Sequence, residues 1–248
     1  MTLLLPTAIG LVALLYASVG HAGATGYIAV MTLLGLPAAT IRPTALALNV
    51  VVATIATVQF TRAGHFRPGL FWPLAIASVP CAFLGGSIAL PTRLLESVLA
   101  AVLLAAAGRM LLDLRQPSPD ASGPPDVAPP ARRPEMLAAL GGGIGLLSGL
   151  TGVGGGVFLT PALLALAAAP VKAVAAVTAP FILVNSLAGL AGGLLAGRGL
   201  PTAGLSVVAA AVVGGAIGSQ LGAFRLPART LRLLMACVLV MASAKLLM

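Results

Sequence analysis

Two glycine clusters interrupt long apolar stretches of this sequence. The second begins at Gly152 and reads GVGGG, with four glycines in five residues, while the first is GHAG, from Gly20 to Gly23. Because glycine has no Cβ, an anion can approach the unpaired N–H groups at a helix start, where the helix dipole also favours negative charge. The clusters therefore indicate either an anion site or close helix packing, a second use of small residues in membranes.

A few polar side chains accompany these clusters within apolar sequence. Thr25 and Thr160 follow the first and second cluster and could add hydroxyl groups to a site. Asn49 and Asn185 are the only asparagines of the chain, and each lies deep in a long apolar segment. A polar amide inside a membrane needs a partner. Each asparagine is therefore expected to hold the backbone of a glycine cluster, to contact substrate or to form an interhelical hydrogen bond.

One titratable residue lies inside a glycine cluster. His21 occupies the second position of the first cluster, and its imidazole can gain and lose a proton near neutral pH. It could act as a proton relay. The equivalent position of the second cluster is Val153, which cannot titrate, so a neutral imidazole that only forms hydrogen bonds is the alternative.

The acidic residues restrict the class of substrate. All five lie at segment ends or in a polar linker: Glu96, Asp113, Asp120, Asp126 and Glu135. Metal ions and other cations are normally bound by carboxylates or by histidine and cysteine clusters. The sequence predicts no metal site and no cofactor, which leaves an anion or a neutral molecule as substrate. The net charge of +9 is spread between apolar segments, so nucleic acid is not an expected partner.

The composition places these residues in a membrane. Of the 248 residues, 59% are hydrophobic and 8% are charged, and the mean hydropathy is +1.10. A bilayer is crossed by a helix of about 20 apolar residues, so the sequence predicts an all-α polytopic membrane protein. Its apolar segments span residues 3–19, 25–36, 41–61, 69–90, 93–114, 136–151, 156–169, 172–197, 202–224 and 227–247.

These segments fall into two halves that match each other. Residues 115–134 contain seven prolines and are predicted to form an extended, solvated linker. It separates a first membrane repeat, residues 1–114, from a second, residues 135–248. At an offset of 136 residues the uncommon residue types coincide: Asn49 with Asn185, Arg62 with Arg198, Gly86 with Gly222, Pro91 with Pro227, Arg93 with Arg229 and Arg109 with Lys245. Near the start the offset is 132, which aligns GHAG with GVGG.

Each half begins with two short segments and continues with three long ones. Residues 156–169 would form a helix about 21 Å long, against about 30 Å of hydrocarbon. We therefore expect each short pair to form a hairpin with its glycine tip inside the membrane. The hairpin is either re-entrant, so that it enters and leaves the membrane on one side, or it crosses the membrane fully as two short helices.

The basic residues favour an inverted arrangement of the halves. A re-entrant hairpin plus three crossings reverses the orientation of the second half. With the linker in the cytoplasm, ten of the fourteen basic residues lie inside, and Arg42, Arg93, Arg198 and Lys245 lie outside. Parallel halves would place eight basic residues inside and six outside. The positive-inside rule therefore favours inverted halves, with both termini periplasmic. Inverted repeats with broken helices are typical of secondary transporters, whose substrate site lies near the midplane.

The sequence resembles the TauE/SafE sulfite exporter family, also called the TSUP transporters. The resemblance rests on GVGGGVFLTP (Gly152–Pro161), on Thr178 and Asn185, and on the duplicated halves, and it covers essentially the whole chain. The first copy, GHAGATGYIA, departs from this pattern, with alanines in place of two glycines and the proline. The resemblance implies transport of small sulfur-containing or carboxylate anions, such as sulfite or sulfoacetate, across a bacterial inner membrane. Export is the favoured direction, and proton coupling stays open.

The predicted substrate site consists of both tips and the helices behind them. Its residues are Gly20, His21, Gly23, Thr25, Gly26, Asn49, Gly152, Gly154, Gly155, Gly156, Thr160, Thr178 and Asn185. The expected partners are a small anion, the lipid bilayer and, if transport is coupled, protons; a homodimer is compatible with the sequence. A passive anion channel or uniporter is the main alternative. An intramembrane enzyme is disfavoured, because Ser148 lacks a GxSG context and no HExxH or paired carboxylates occur.

Overall fold

The computed structural model describes residues 3–88, 100, 104, 107–108 and 133–247, and the part of the chain so described forms nine helices with defined ends. They are α1 (Leu4–Ser18), α2 (Ala24–Leu33), α3 (Ala38–Arg62), α4 (Pro68–Ser87), α5 (Pro134–Thr151), α6 (Gly156–Ala165), α7 (Val171–Leu195), α8 (Leu205–Gln220) and α9 (Ala228–Leu247). A π-helical turn, Leu221–Arg225, follows α8. Apart from four positions, the predicted fifth segment, 93–114, lies outside the described residues, as does most of the linker, 115–134.

The predicted helical class is confirmed. Every apolar segment within the described ranges is a helix, and these ranges contain no strand. Four helical stretches are long and apolar enough to cross a membrane: Ala39–Arg62, Pro68–Ser87, Val171–Leu195 and Leu205–Arg225. Helix α9 has 20 residues, and that it crosses the membrane stays a prediction.

Each half begins with two helices that meet at a glycine tip. We name residues Gly20–Gly23, between α1 and α2, the first tip, and residues Gly152–Gly155, between α5 and α6, the second tip. Helices α2 and α6 have ten residues each, which gives about 15 Å of length. Neither is long enough to cross a hydrocarbon core of about 30 Å alone. Whether the hairpins are re-entrant stays a prediction.

Glycine stripes hold helices of different halves in backbone contact. On α5, the stripe Gly141, Gly145 and Gly149 recurs every four residues and lies against the backbone of α4, from Leu74 to Gly86. On α8 and its π-helical turn, the stripe Gly214, Gly218 and Gly222 lies in the same way against α1, from Gly10 to Ser18. A Cβ at any of these six glycines would overlap backbone atoms of the facing helix. Close approach of this kind is the usual role of small residues between membrane helices.

The helix contacts follow the predicted duplication. In the sequence match, α1 corresponds to α5, α3 to α7 and α4 to α8. The α4–α5 and α1–α8 pairs are the two most extensive contacts, and exchanging the halves turns one pair into the other. The α3–α7 contact maps onto itself, so these two helices form the centre of the bundle. The inverted orientation of the halves and the repeat boundaries stay predictions.

The turn between α3 and α4 is tied to the second half by a histidine. Nε2 of His65 lies 3.3 Å from the carbonyl oxygen of Ala223 in the π-helical turn. Burial, the nearby charge of Lys172 and then that of Arg67 lower the pKa of His65, while the bond to Ala223 opposes the shift. Burial and the two nearby cations outweigh the contact with Ala223, so the surroundings favour neutral His65.

Candidate functional site at the glycine tips

The second tip is an unwound stretch of buried backbone. Helix α5 ends at Thr151, and Gly154 and Gly155 then adopt φ angles of 83° and 81°. This left-handed conformation is strained for residues with a Cβ, which explains the glycines. The amides of residues 153–157 have no hydrogen-bond partner among the described residues. Five consecutive N–H groups are therefore available at the start of α6, where the helix dipole is positive.

Asn49 braces this tip from the opposite half. Its Nδ2 atom, on α3, donates to the carbonyl oxygen of Val153 and to Oγ of Ser186, both at 3.3 Å. A Cβ at Gly154 would lie 2.5 Å from the same Nδ2 atom, so the glycine allows the amide to reach the tip. Of the roles predicted for Asn49, the structure shows two, because the side chain holds unwound backbone and also forms an interhelical hydrogen bond to Ser186.

The first tip is held by main-chain contact with α7 and by two buried tyrosines. Gly20 lies directly on the backbone of Ala175 in α7, where any Cβ would overlap main-chain atoms. The hydroxyl of Tyr27 donates to the carbonyl of Ala22, and Thr25 Oγ1 donates to the Tyr16 hydroxyl at 2.9 Å. Helix α2 begins at Ala24, one residue before the predicted apolar segment 25–36. Thr25 therefore belongs to the first turn of α2, where its hydroxyl is engaged by Tyr16.

The two tips meet through a chain of buried polar side chains. Nε2 of His21 lies 3.1 Å from Oγ1 of Thr160 on α6, and Thr160 Oγ1 lies 3.2 Å from Oγ1 of Thr178 on α7. All three residues are at most 2% exposed. The His21 ring also borders the start of α6, since a Cβ at Gly156 would lie 2.9 Å from its Cδ2 atom. The structure thus brings His21, Thr160 and Thr178 together across 157 residues of sequence.

Three buried polar atoms around this junction lack a partner within the described structure. They are Nδ1 of His21, Oγ of Ser148 and Oδ1 of Asn49. Ser148 lies beside the second tip, because a Cβ at Gly155 would be 3.2 Å from the serine Cβ. Burying polar atoms without partners is costly. Together with the free amides, they form a place where a polar ligand would recover several hydrogen bonds.

Two predicted site residues do not reach the tips. Nδ2 of Asn185 donates to Oγ of Ser78 on α4 at 3.1 Å and to the carbonyl of Phe181 at 2.8 Å. This is the interhelical bond that was one of the alternatives for Asn185, and it joins α7 to α4. Gly26 lies inside α2, where a Cβ would press on the side chain of Val12. Gly26 therefore serves the packing of α1 on α2.

A cavity of about 500 Å³ approaches the second tip from one end of the bundle. It lies where α3 begins and where α4 and α7 end, and Gly149 and Gly152 lie on its wall. Half of its fourteen lining residues are glycines, so much of its wall is bare backbone. Among the described residues that line it, the polar side chains are Arg42 and Arg198, and none is a carboxylate. No metal-binding group of three residues occurs in the described ranges.

Several residues of this region were not predicted as site residues. Tyr16 and Tyr27 are the only tyrosines of the chain, and both are buried around the first tip. Their rarity and their position on either side of GHAG were a usable signal. Ser148 and Ser186 carried none, because serine is common in packed membrane helices. From the sequence, Arg42 and Arg198 indicated only the membrane topology and not a site.

Comparison with known proteins agrees with the sequence resemblance. Residues 5–246 match the family model described as sulfite exporter TauE/SafE. The chain is also 39% identical over 238 residues to a protein of Sinorhizobium fredii (strain NBRC 101917 / NGR234) named "Probable membrane transporter protein y4hK", covering 95% of this chain and 94% of that protein. No solved structure matches the chain. The chain belongs to the sulfite exporter TauE/SafE family of membrane transporters.

Proposed function

We propose that this protein is a secondary transporter of small anions that binds its substrate between the two glycine tips. The observation that carries the proposal is the group of unpartnered donors where the halves meet. Five backbone amides of the second tip and α6 lie there, beside His21, Thr160 and Thr178. Sulfite, sulfoacetate and related sulfonates or carboxylates fit this chemistry, because their oxygens accept several hydrogen bonds at once.

The balance of donors and charges supports an anion over a cation. The junction offers N–H groups, two threonine hydroxyls and an imidazole, together with the positive end of the α6 dipole. A cation would need carboxylates or converging carbonyls. Glu135, the acid that the described ranges contain, lies exposed at the start of α5. The site is therefore expected to reject neutral molecules of the same shape.

An asymmetry between the tips supports alternating access. The second tip borders an open cavity, whereas the corresponding face of the first tip is closed by the backbone of Ala175. In a transporter with inverted repeats, the second access state arises when the halves exchange conformations. We infer that the described conformation is open on one side only and that exchange would free Gly20 from α7. The predicted topology makes the open side periplasmic, and epitope tags at both termini and at Asp120 of the linker test that orientation.

His21 is the candidate for proton coupling. It is the titratable group at the junction of the tips, it contacts the second half through Thr160, and its Nδ1 atom has no described partner. Export coupled to proton movement would require a group of this kind. The alternative role, a neutral imidazole that only orients Thr160, uses the same contacts.

Solid-supported-membrane electrophysiology on proteoliposomes tests the proposal, together with uptake of labelled anion under an imposed pH gradient. Methanesulfonate and dimethyl sulfone form a suitable pair, since they have similar shapes and only the first is charged. We expect currents or uptake with sulfite, sulfoacetate and methanesulfonate, and no competition from dimethyl sulfone. Competition by dimethyl sulfone equal to that by methanesulfonate would contradict the anion site. Flux that does not saturate with concentration would instead indicate a channel.

A further inference from the structure

Two arginine side chains border the cavity above the second tip. Arg42 lies in the second turn of α3, and its side chain crosses Gly152, since a Cβ there would lie 3.3 Å from Arg42 Cγ. Arg198 follows the end of α7 and reaches the same cavity beside Gly193. Both side chains are partly buried. The cavity wall therefore presents two cations and a surface of glycine backbone.

One terminal nitrogen of Arg198 is shielded from solvent without a hydrogen-bond partner in the described structure. A guanidinium keeps its charge at every physiological pH and offers five donors in a planar fork. Burying part of such a group is costly unless an anion or acceptor pairs with it. No carboxylate is among the described residues that line the cavity. The missing acceptor is therefore expected to come from a ligand.

We propose that this cavity is a second anion site, an outer vestibule in which Arg198 and Arg42 hold the substrate next to the second tip. The vestibule deepens the proposed transport function and rests on it. Its ligand is a small oxyanion such as a sulfonate or carboxylate, because two adjacent oxygens match the guanidinium fork. A volume of about 500 Å³ leaves room for such an anion together with water. Gly149 and Gly152 lie on the wall that the vestibule shares with the second tip, and the Arg42 side chain lies over Gly152.

The vestibule is specific to one side of the protein. At the offset of 136 residues, the position equivalent to Arg42 is Thr178, which already belongs to the hydroxyl chain at the tips. The equivalent of Arg198 is Arg62, which is exposed at the far end of α3. Exchanging the halves therefore does not create a second pair of arginines over the first tip. Anions are expected to be captured more strongly from the vestibule side than from the opposite side.

Arg198→Gln tests this, with Arg62→Gln as the matched control that removes the same charge from the equivalent position. Sulfoacetate uptake is measured in proteoliposomes sorted by orientation, so that KM is obtained separately for each side. Loss of a charge-assisted hydrogen bond should raise KM about 10- to 100-fold from the vestibule side. From the other side KM should stay within about twofold of wild type, and Arg62→Gln should show no side-specific rise in KM. Arg42→Gln should reproduce the effect of Arg198→Gln, which keeps the test available if one variant does not fold.

Equal KM changes on both sides, or wild-type KM in Arg198→Gln, would overturn the vestibule while leaving transport at the tips intact. Failure of the wild-type protein to carry any anion would instead remove the proposed function. Calorimetry of sulfoacetate binding to the detergent-solubilised protein separates these cases. It reports the Arg198-dependent site without any transport, and loss of that binding in Arg198→Gln but not in Arg62→Gln is the expected result.

Discussion

Replacing Asn49 by leucine should uncouple the second tip from α3. The change removes two hydrogen bonds of 3.3 Å, to the Val153 carbonyl and to Ser186 Oγ. Interhelical hydrogen bonds in membrane proteins contribute about 0.6 kcal/mol on average and up to about 1.7. Two such bonds amount to about 1–2 kcal/mol, which changes the population of the braced tip by a factor of about 5 to 30. Anion transport is expected to fall by a similar factor.

Asn185→Leu is the matched control. Asn185 is the repeat equivalent of Asn49 and is equally buried. It also donates two hydrogen bonds, but to Oγ of Ser78 and to the carbonyl of Phe181, and to no residue of either tip. Both variants should therefore lose a similar amount of thermal stability in detergent. Sulfoacetate uptake per folded protein should fall strongly in Asn49→Leu alone.

Two results would refute this reasoning. Normal uptake by folded Asn49→Leu protein would show that the brace is not needed for binding. An equal loss of uptake in both variants would show that general helix packing, and not the tip, limits transport.

Three further predictions follow from the tips and from the turn between α3 and α4. Gly155→Ala and Gly64→Ala both place a Cβ at positive φ, at 81° and 75°, but the new Cβ meets Phe181 and Ser148 at the first position and nothing within 4 Å at the second. Calorimetry should therefore show that only Gly155→Ala abolishes anion binding. Loss of binding in both variants would show that backbone strain is the cause. His21→Gln keeps hydrogen bonding without titration near neutral pH, so sulfoacetate uptake should lose its pH dependence, and a retained pH dependence would exclude the relay. Because the folded protein lowers the pKa of His65, this residue stabilises the fold above about pH 6.5 and loses that contribution as the pH falls. Between pH 7 and pH 5, the melting temperature of His65→Gln should therefore drop less than that of the wild-type protein.

The helical fold was predictable because hydrophobic length is a strong signal in membrane proteins. Gly152–Gly155 stood out as a break between apolar segments, and the structure places the helix break there. The predicted helix ends were less accurate. The segment predicted over 156–169 forms a helix that already ends at Ala165. An apolar sequence does not distinguish the last turn of a helix from the apolar connection that follows it.

The partners of the site residues were not predictable. Nothing in the sequence indicates that His21 reaches Thr160, 139 residues away, or that Asn49 holds the second tip while Asn185 holds α4. The repeat makes these asparagines equivalent, and only packing distinguishes them. The spacing of Gly141, Gly145 and Gly149 indicates a helix face of small residues. Which helix packs against this face depends on the tertiary structure and cannot be read from the spacing.

The glycine stripes also determine how the chain can be assembled. Helix α1 is made before α8, but its backbone partner is the stripe on α8 at Gly214, Gly218 and Gly222, about 200 residues later. Until α8 is inserted, the contact face of α1 can be covered only by lipid or by the insertion machinery. The two halves are therefore not independent folding units. Each supplies the surface on which the other completes its packing, so separately expressed halves should be unstable alone and should assemble when made in the same membrane.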